Sequence, residues 1–293
     1  MQSLDLFQFN RHANSFGAFM TLLDKKLFLF DIDGTISVGD TLFDGTLDLL
    51  HYIDSIGGKA YFITNNSTKS TSSYIEKFAK WNIPTTANQF MTAGYVSMKY
   101  LQNNFGKGKI YVVGTKSYIK ELRANGLNIT EEADDDVVAV MIAFDDEVTY
   151  DKLYKACKLL SEKDIPYIGT NPDLCCPAPF GFVPDCGSIC AMVDNSVGRK
   201  PLYIGKPNRL MVDLCVQDSG FSYDETVVVG DRLYTDIAVG INAGVETIAV
   251  LTGETTQEEI DETTLFYPSY VFKDVKWLTY CLEKKLVDRT LIL

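Results

Sequence analysis

Residues 26–35 read Lys-Leu-Phe-Leu-Phe-Asp-Ile-Asp-Gly-Thr. A short apolar and aromatic run stopped by acids and a glycine is the pattern of a buried strand ending in a turn. On extended backbone Asp31 and Asp33, two residues apart, project to the same side. Gly34 lets the chain turn sharply away. Paired carboxylate oxygens suit a hard cation such as Mg2+, which takes oxygen ligands and keeps several waters. Asp and Gly are also ordinary turn residues, so this stretch alone leaves a plain turn open.

The same design recurs three times. Apolar runs at 59–63, 202–204 and 226–229 end in Thr-Asn-Asn-Ser-Thr (64–68), Gly-Lys-Pro (205–207) and Gly-Asp-Arg-Leu-Tyr-Thr-Asp (230–236). Helical patterns lie between them at 46–56, 70–80, 208–217 and 236–243; the second starts at Ser70 or Thr71 and turns Glu76 and Lys77 outward. Strand–helix alternation predicts an α/β fold, a doubly wound, Rossmann-like parallel sheet covered on both faces. Ligands of such sheets bind outside the carboxyl ends of the strands, where all four polar clusters fall.

Each cluster has a chemical reading beside an ordinary one. Thr64, Asn65 and Asn66 at a helix N-terminus make a phosphate cradle, or simply a cap. Lys206 is a cation beside phosphate and carboxylates, or a surface lysine. Its Gly-Lys-Pro is not a nucleotide P-loop, because Pro207 stands where Ser or Thr is required. Asp231 beside Asp31 and Asp33 completes a cation site, which lets several acids crowd together. Either Asp231 or Asp236 also suits a helix N-cap or first turn.

Spacing gives the domain plan. Asp31 and Thr64 are about 33 residues apart, room for one crossover helix, whereas Thr64 and Lys206 are about 142 apart. Within the longer gap a second α/β pattern appears: strands at 109–114, 137–144 and 166–170, helices at 117–125 and 150–162. The expected organisation is an N-terminal extension (1–24), a catalytic core (25–104 plus 200–293) and an inserted α/β domain (105–199). In the extension Leu4, Phe7, Phe16, Phe19, Met20 and Leu23 fit a docked amphipathic helix as well as a poorly ordered arm. Five of the nine prolines (166, 172, 177, 179 and 184) make the end of the insert a rigid, loop-rich segment.

Composition bounds the rest. Apolar residues make up 46% and charged residues 23%, the balance of a globular protein. With 27 basic against 39 acidic residues, a net charge of −12 argues against nucleic acid and anionic lipid. No run reaches the length of a membrane helix, and the N-terminus lacks the basic and apolar regions of a secretory signal. Seven cysteines without such a signal point to free thiols and a cytoplasmic location. Cys175, Cys176, Cys186 and Cys190 cluster, but without the paired hooks of structural zinc sites; buried or pocket-lining thiols are expected. His12 and His51, the only histidines, sit in no motif.

The ordered set FDIDGT, TNNST, TNPD with GFVPDCGSI, IGKP and VGDRLYTDI resembles the haloacid dehalogenase-like superfamily of aspartate-nucleophile phosphotransferases. It looks most like the type IIA, NagD-like or nitrophenylphosphatase-like branch, from about residue 27 to 282. The insert lies where this branch carries its large α/β cap. The resemblance implies a Mg2+-dependent phosphatase of small phosphate monoesters, such as sugar phosphates or nucleoside monophosphates, acting through an aspartyl-phosphate. It implies Asp31 as nucleophile and Asp33 as acid and base. Asp31, Asp231 and the Asp33 carbonyl would hold Mg2+, and Thr64, Asn65, Asn66 and Lys206 the phosphoryl oxygens. Asp236 would support Lys206 or a metal-bound water, Gly34 the turn, and Asn171 to Asp173 would face the site from the cap. A homodimer through the cap is a further expectation. Pro184–Asp185–Cys186–Gly187 departs from the branch's usual Pro-Gly-x-Gly and puts substrate identity, not the reaction, in question. The rival readings are a phosphotransferase or mutase with the same intermediate, a phospho-accepting signalling domain and a non-catalytic phospho-ligand binder.

Overall fold

The computed structural model describes residues 21–66, 71–178 and 180–286. Most of the N-terminal extension, including Leu4, Phe7, Phe16, Phe19 and Met20, lies outside the described residues. Ahead of the first strand, Leu22–Asp24 forms one 3-10 turn.

The Leu27–Phe30 strand is fully buried and shows why the fold has two layers of helices. Alternate side chains of a strand face opposite ways. Leu27 and Leu29 enter one apolar cluster, Phe28 and Phe30 another. In the second cluster Phe30 stacks on Phe62, which meets Phe78 and Phe90 at centroid distances of 4.5 and 5.4 Å. Burying each such ring contributes about 2–3 kcal/mol.

This strand lies inside a six-stranded sheet, with all neighbours parallel. Across the sheet the order is Tyr270–Phe272, Glu246–Val250, Thr226–Gly230, Leu27–Phe30, Lys59–Thr64 and Phe90–Thr92. Phe30 is in register with both Val229 and Phe62, so Asp31, Asp231 and Thr64 emerge along one edge. The helices Thr46–Ser55, Thr71–Lys80 and Leu210–Ser219 match the periodic segments closely.

A second parallel sheet runs in the order Leu202–Tyr203, Tyr167–Gly169, Val137–Ile142, Lys109–Val113 and Asn128–Thr130. The apolar run before Gly205 therefore belongs to this sheet, not to the one carrying the other three clusters. Leu202 and Tyr203 pair with Ile168 and Gly169. The proline-rich segment is also more regular than expected: Cys175–Ala178 and Gly181–Pro184 form an antiparallel hairpin. One apolar cluster runs through both sheets, joining Leu29 and Ile63 to Ile110, Val112 and Ile168. Between them Ala93–Phe105 packs its Val96 and Leu101 into that cluster. Among the described residues no helix is long and apolar enough to cross a membrane.

Candidate active site

Asp31 leaves the end of its strand with its N–H donating to the Val229 carbonyl at 2.9 Å. The next turn is tight: Gly34 has φ of +96°, and a Cβ there would run into the Asp231 carboxylate. The loop instead fastens Asp231, whose Oδ1 accepts from Thr35 Oγ1 at 3.0 Å and whose Oδ2 accepts from the Glu254 N–H at 2.9 Å. Asp236 follows inside a short helical turn, Leu233–Ile237, where Oδ2 accepts from the Arg232 N–H at 3.0 Å. Neither acid is an N-cap; Arg232 occupies that position.

Lys206 joins these acids from the other sheet. It is 3% exposed, and its Nζ donates to Asp31 Oδ1 at 2.5 Å, Asp236 Oδ1 at 2.6 Å and the Ile63 carbonyl at 3.3 Å. Its backbone is gripped by one side chain. Asn65 Oδ1 accepts from the Lys206 N–H at 2.8 Å, and Asn65 Nδ2 donates to the Lys206 carbonyl at 3.0 Å. Asn65 Nδ2 also donates to Asp173 Oδ1 at 3.3 Å, while Asn171 Nδ2 donates to the Asn65 carbonyl at 3.1 Å. Both donor hydrogens of the Asn65 amide are thus engaged. Thr64 Oγ1 accepts from the Asn66 N–H at 3.1 Å.

The acids form a candidate cation site. Ligand atoms of Asp31, Asp231 and Asp236 lie within 4.8 Å of one another, all buried. Burial pushes the Asp31 carboxyl well above the ordinary value; Lys206 opposes this, and Asp236 and Asp231 add to it. Burial and the Asp236 charge raise Asp231 to about 6. Burial works against the Lys206 ammonium, yet Asp236 and Asp31 together hold its pKa above the usual lysine value. One ammonium among three carboxylates leaves an excess of negative charge, and the all-oxygen donor set fits a hard divalent ion.

Of the expected metal-site residues, Asp31 and Asp231 share this cluster. The Asp33 carboxylate is elsewhere: 43% exposed and 3.4 Å from Lys77 Nζ. Lys77 is buried rather than turned outward, because it reaches back to that acid. Asp33, Thr64, Asn65, Asn66, Asp173 and Lys206 all border one cavity of about 360 Å³ that opens onto Asp31. Asn171, fully buried, stands behind Asn65 instead. Cys175 and Cys176 border the cavity, while Cys186 and Cys190 are buried with Sγ atoms 3.9 Å apart. Sequence reasoning gave no role to Arg232, also at the cavity, though it stands inside VGDRLYTDI. Its Nε lies 2.9 Å from Glu254 Oε2.

Comparison with known proteins gives the family. A haloacid dehalogenase-like hydrolase family model matches residues 28–128, and a HAD-hydrolase-like model matches residues 203–278. The chain is 34% identical over 259 residues to an acid sugar phosphatase of Staphylococcus haemolyticus, covering 88% of this chain and 97% of that protein. Among solved structures it is similar to a 4-nitrophenylphosphatase of Thermotoga maritima, at 37% identity and a TM-score of 0.82, with 89% and 98% of the two chains covered. NagD of E. coli K-12 superposes with a TM-score of 0.78 at 32% identity, covering 88% of this chain and 98% of its own. The chain belongs to the haloacid dehalogenase-like hydrolases, as a phosphatase of the NagD and nitrophenylphosphatase type.

Proposed function

We propose that the protein hydrolyses small phosphate monoesters, sugar phosphates among them, by way of a phosphoryl group carried on Asp31. The observation that carries this reading is the buried Asp31–Lys206–Asp236 constellation with Asp231 beside it, at the floor of a cavity large enough for a small ester. In the first step Asp31 Oδ forms a bond to phosphorus as the bond to the alcohol oxygen breaks, and Asp33 gives that oxygen a proton. In the second step Asp33 takes a proton from water, whose oxygen displaces Asp31 and releases inorganic phosphate. Lys206, Thr64 and the backbone around Asn65 and Asn66 would hold the phosphoryl oxygens, where positioning and charge stabilisation do most of the catalysis. The Asn65 side chain acts on the Lys206 backbone in this scheme. Asp31, Asp231 and the Asp33 carbonyl would hold Mg2+, which when bound offsets negative charge between nucleophile and substrate.

The second sheet and its helices (about 105–199) act as a cap over a core of 25–104 and 200–293, apart from the 202–203 strand, which pairs on the cap sheet. Asn171 and Asp173 link cap to core through Asn65. Seven free cysteines suit a reducing cytoplasm. A homodimer through the cap would cover the exposed Leu174, Phe180 and Phe182, and sedimentation would detect it.

Phosphate release from a panel of monoesters, with Mg2+ or EDTA, tests the proposal. Release should require the metal and fall about a thousandfold or more in Asp31→Asn, because an amide is a poor nucleophile. Release that survives in Asp31→Asn would refute the aspartyl-phosphate; no release from any ester would refute the function.

A further inference from the structure

The cavity that opens onto Asp31 is lined by more acids than the reaction uses. Its floor carries Asp31 and Lys206. Asp173 and Asp185, one on either side of the Cys175–Pro184 hairpin, line the cavity as well. Among the described residues neither of these two acids forms an ion pair, although the charges of Lys206 and Arg232 act on Asp173. Asp173 Oδ1 takes its hydrogen bond from the Asn65 amide, and Asp185 Oδ1 from the Cys186 N–H at 2.5 Å. Both donors are neutral. Lys206 is divided between Asp31 and Asp236, and Arg232 is held by Glu254.

Asp185 is only 3% exposed and caps the Cys186–Val197 helix, so its position is fixed by the fold. Burial, with Asp173 adding to it, raises its carboxyl to about 6, which leaves it ionised at neutral pH. A monoester with its phosphoryl group over Asp31 shares the cavity with these two carboxylates. Carboxylates there accept hydrogen bonds from hydroxyl and ammonium groups. They repel a second anion held in the same cavity of about 360 Å³.

We infer that Asp185, with Asp173, selects the leaving group: monoesters of polyols and amino sugars enter, and monoesters whose alcohol carries another anion are refused. This rests on the phosphatase reading and adds to it a substrate class set by the departure from Pro-Gly-x-Gly.

Two esters of similar size, glycerol 3-phosphate and 2-phosphoglycolate, separate the cases on the full chain with Mg2+. The kcat/KM of the wild type should favour glycerol 3-phosphate by about a hundredfold, a factor of ten for each ~1.4 kcal/mol. Asp185→Asn keeps a capping oxygen and removes the charge; it should move the ratio about tenfold toward phosphoglycolate, mainly through the KM of that ester. Asp185→Gly should shift the ratio in the same direction. Equal use of both esters by the wild type, or an unchanged ratio in both variants, overturns the inference while leaving the phosphatase intact. No release from either ester or from 4-nitrophenyl phosphate overturns both readings together.

Discussion

Gly34 holds a left-handed backbone conformation directly beneath the Asp231 carboxylate. Gly34→Ala combines backbone strain of about 1–3 kcal/mol with a side chain where that carboxylate lies. The expected outcome is loss of Mg2+-dependent turnover along with a lower Tm, read by activity and thermal melting. Asp33 calls for a different test, since its carboxylate stands apart from the three buried acids. Asp33→Asn should slow a sugar phosphate by about 10²–10⁴ and 4-nitrophenyl phosphate far less, because nitrophenolate leaves without a proton. Equal losses on the two esters would remove Asp33 from the acid role. Asp31, Lys206 and Asp231 could be picked out from sequence because each follows an apolar run and is of a type that chemistry needs there. The task of Asn65 could not: its partners are the backbone of Lys206, 141 positions away, and Asp173. Residue type reveals a hydrogen-bonding group but not the tertiary partner that consumes it. Lys77 was misread for a related reason, since only the folded helix shows that its stem crosses to Asp33.

Strands and helices were readable where pattern and length agreed. The helix Tyr150–Glu162 carries its buried Ala156, Leu159 and Leu160 on one face, and its limits coincide with the periodic segment. The pattern at 202–204 points to the wrong sheet because three apolar residues say that a strand exists, not which neighbour it pairs with. The hairpin at 175–184 escaped because its prolines mimic loop chemistry, although proline is tolerated in edge strands. Helix Cys186–Val197 supplies a pH prediction. Asp185 at its N-cap is raised to about 6, against an unfolded value near 3.9. A group raised on folding contributes stability below its unfolded pKa and loses it as pH climbs through the folded one. Stability should therefore fall between about pH 4 and 6 through this residue. Asp185→Asn should raise Tm at pH 8, by up to about 3 kcal/mol of stability, and have little effect at pH 4. An equal gain at both pH values would place the effect elsewhere.

For the molecule entire, the apolar cluster shared by the two sheets bears on cooperativity. Two folding units with a thin junction would melt separately; here Leu29 and Ile63 pack in the same cluster as Ile110 and Ile168. Calorimetry should give a single transition, and two resolved peaks would contradict the packing. Mg2+ should raise that transition, since a ligand bound only by the folded state adds about 2.7 kcal/mol at a hundred times its Kd. EDTA should return it to the metal-free value. The same layout gives Lys206 a second property. It stands three positions beyond Tyr203, on the segment by which the chain returns from the second sheet to the first. The ammonium that faces Asp31 is thereby mounted on a mechanical linkage. A tilt of the second sheet would reach the Asp31 carboxylate as a change in charge balance, with the Asn65 amide as the latch that holds the Lys206 backbone in register.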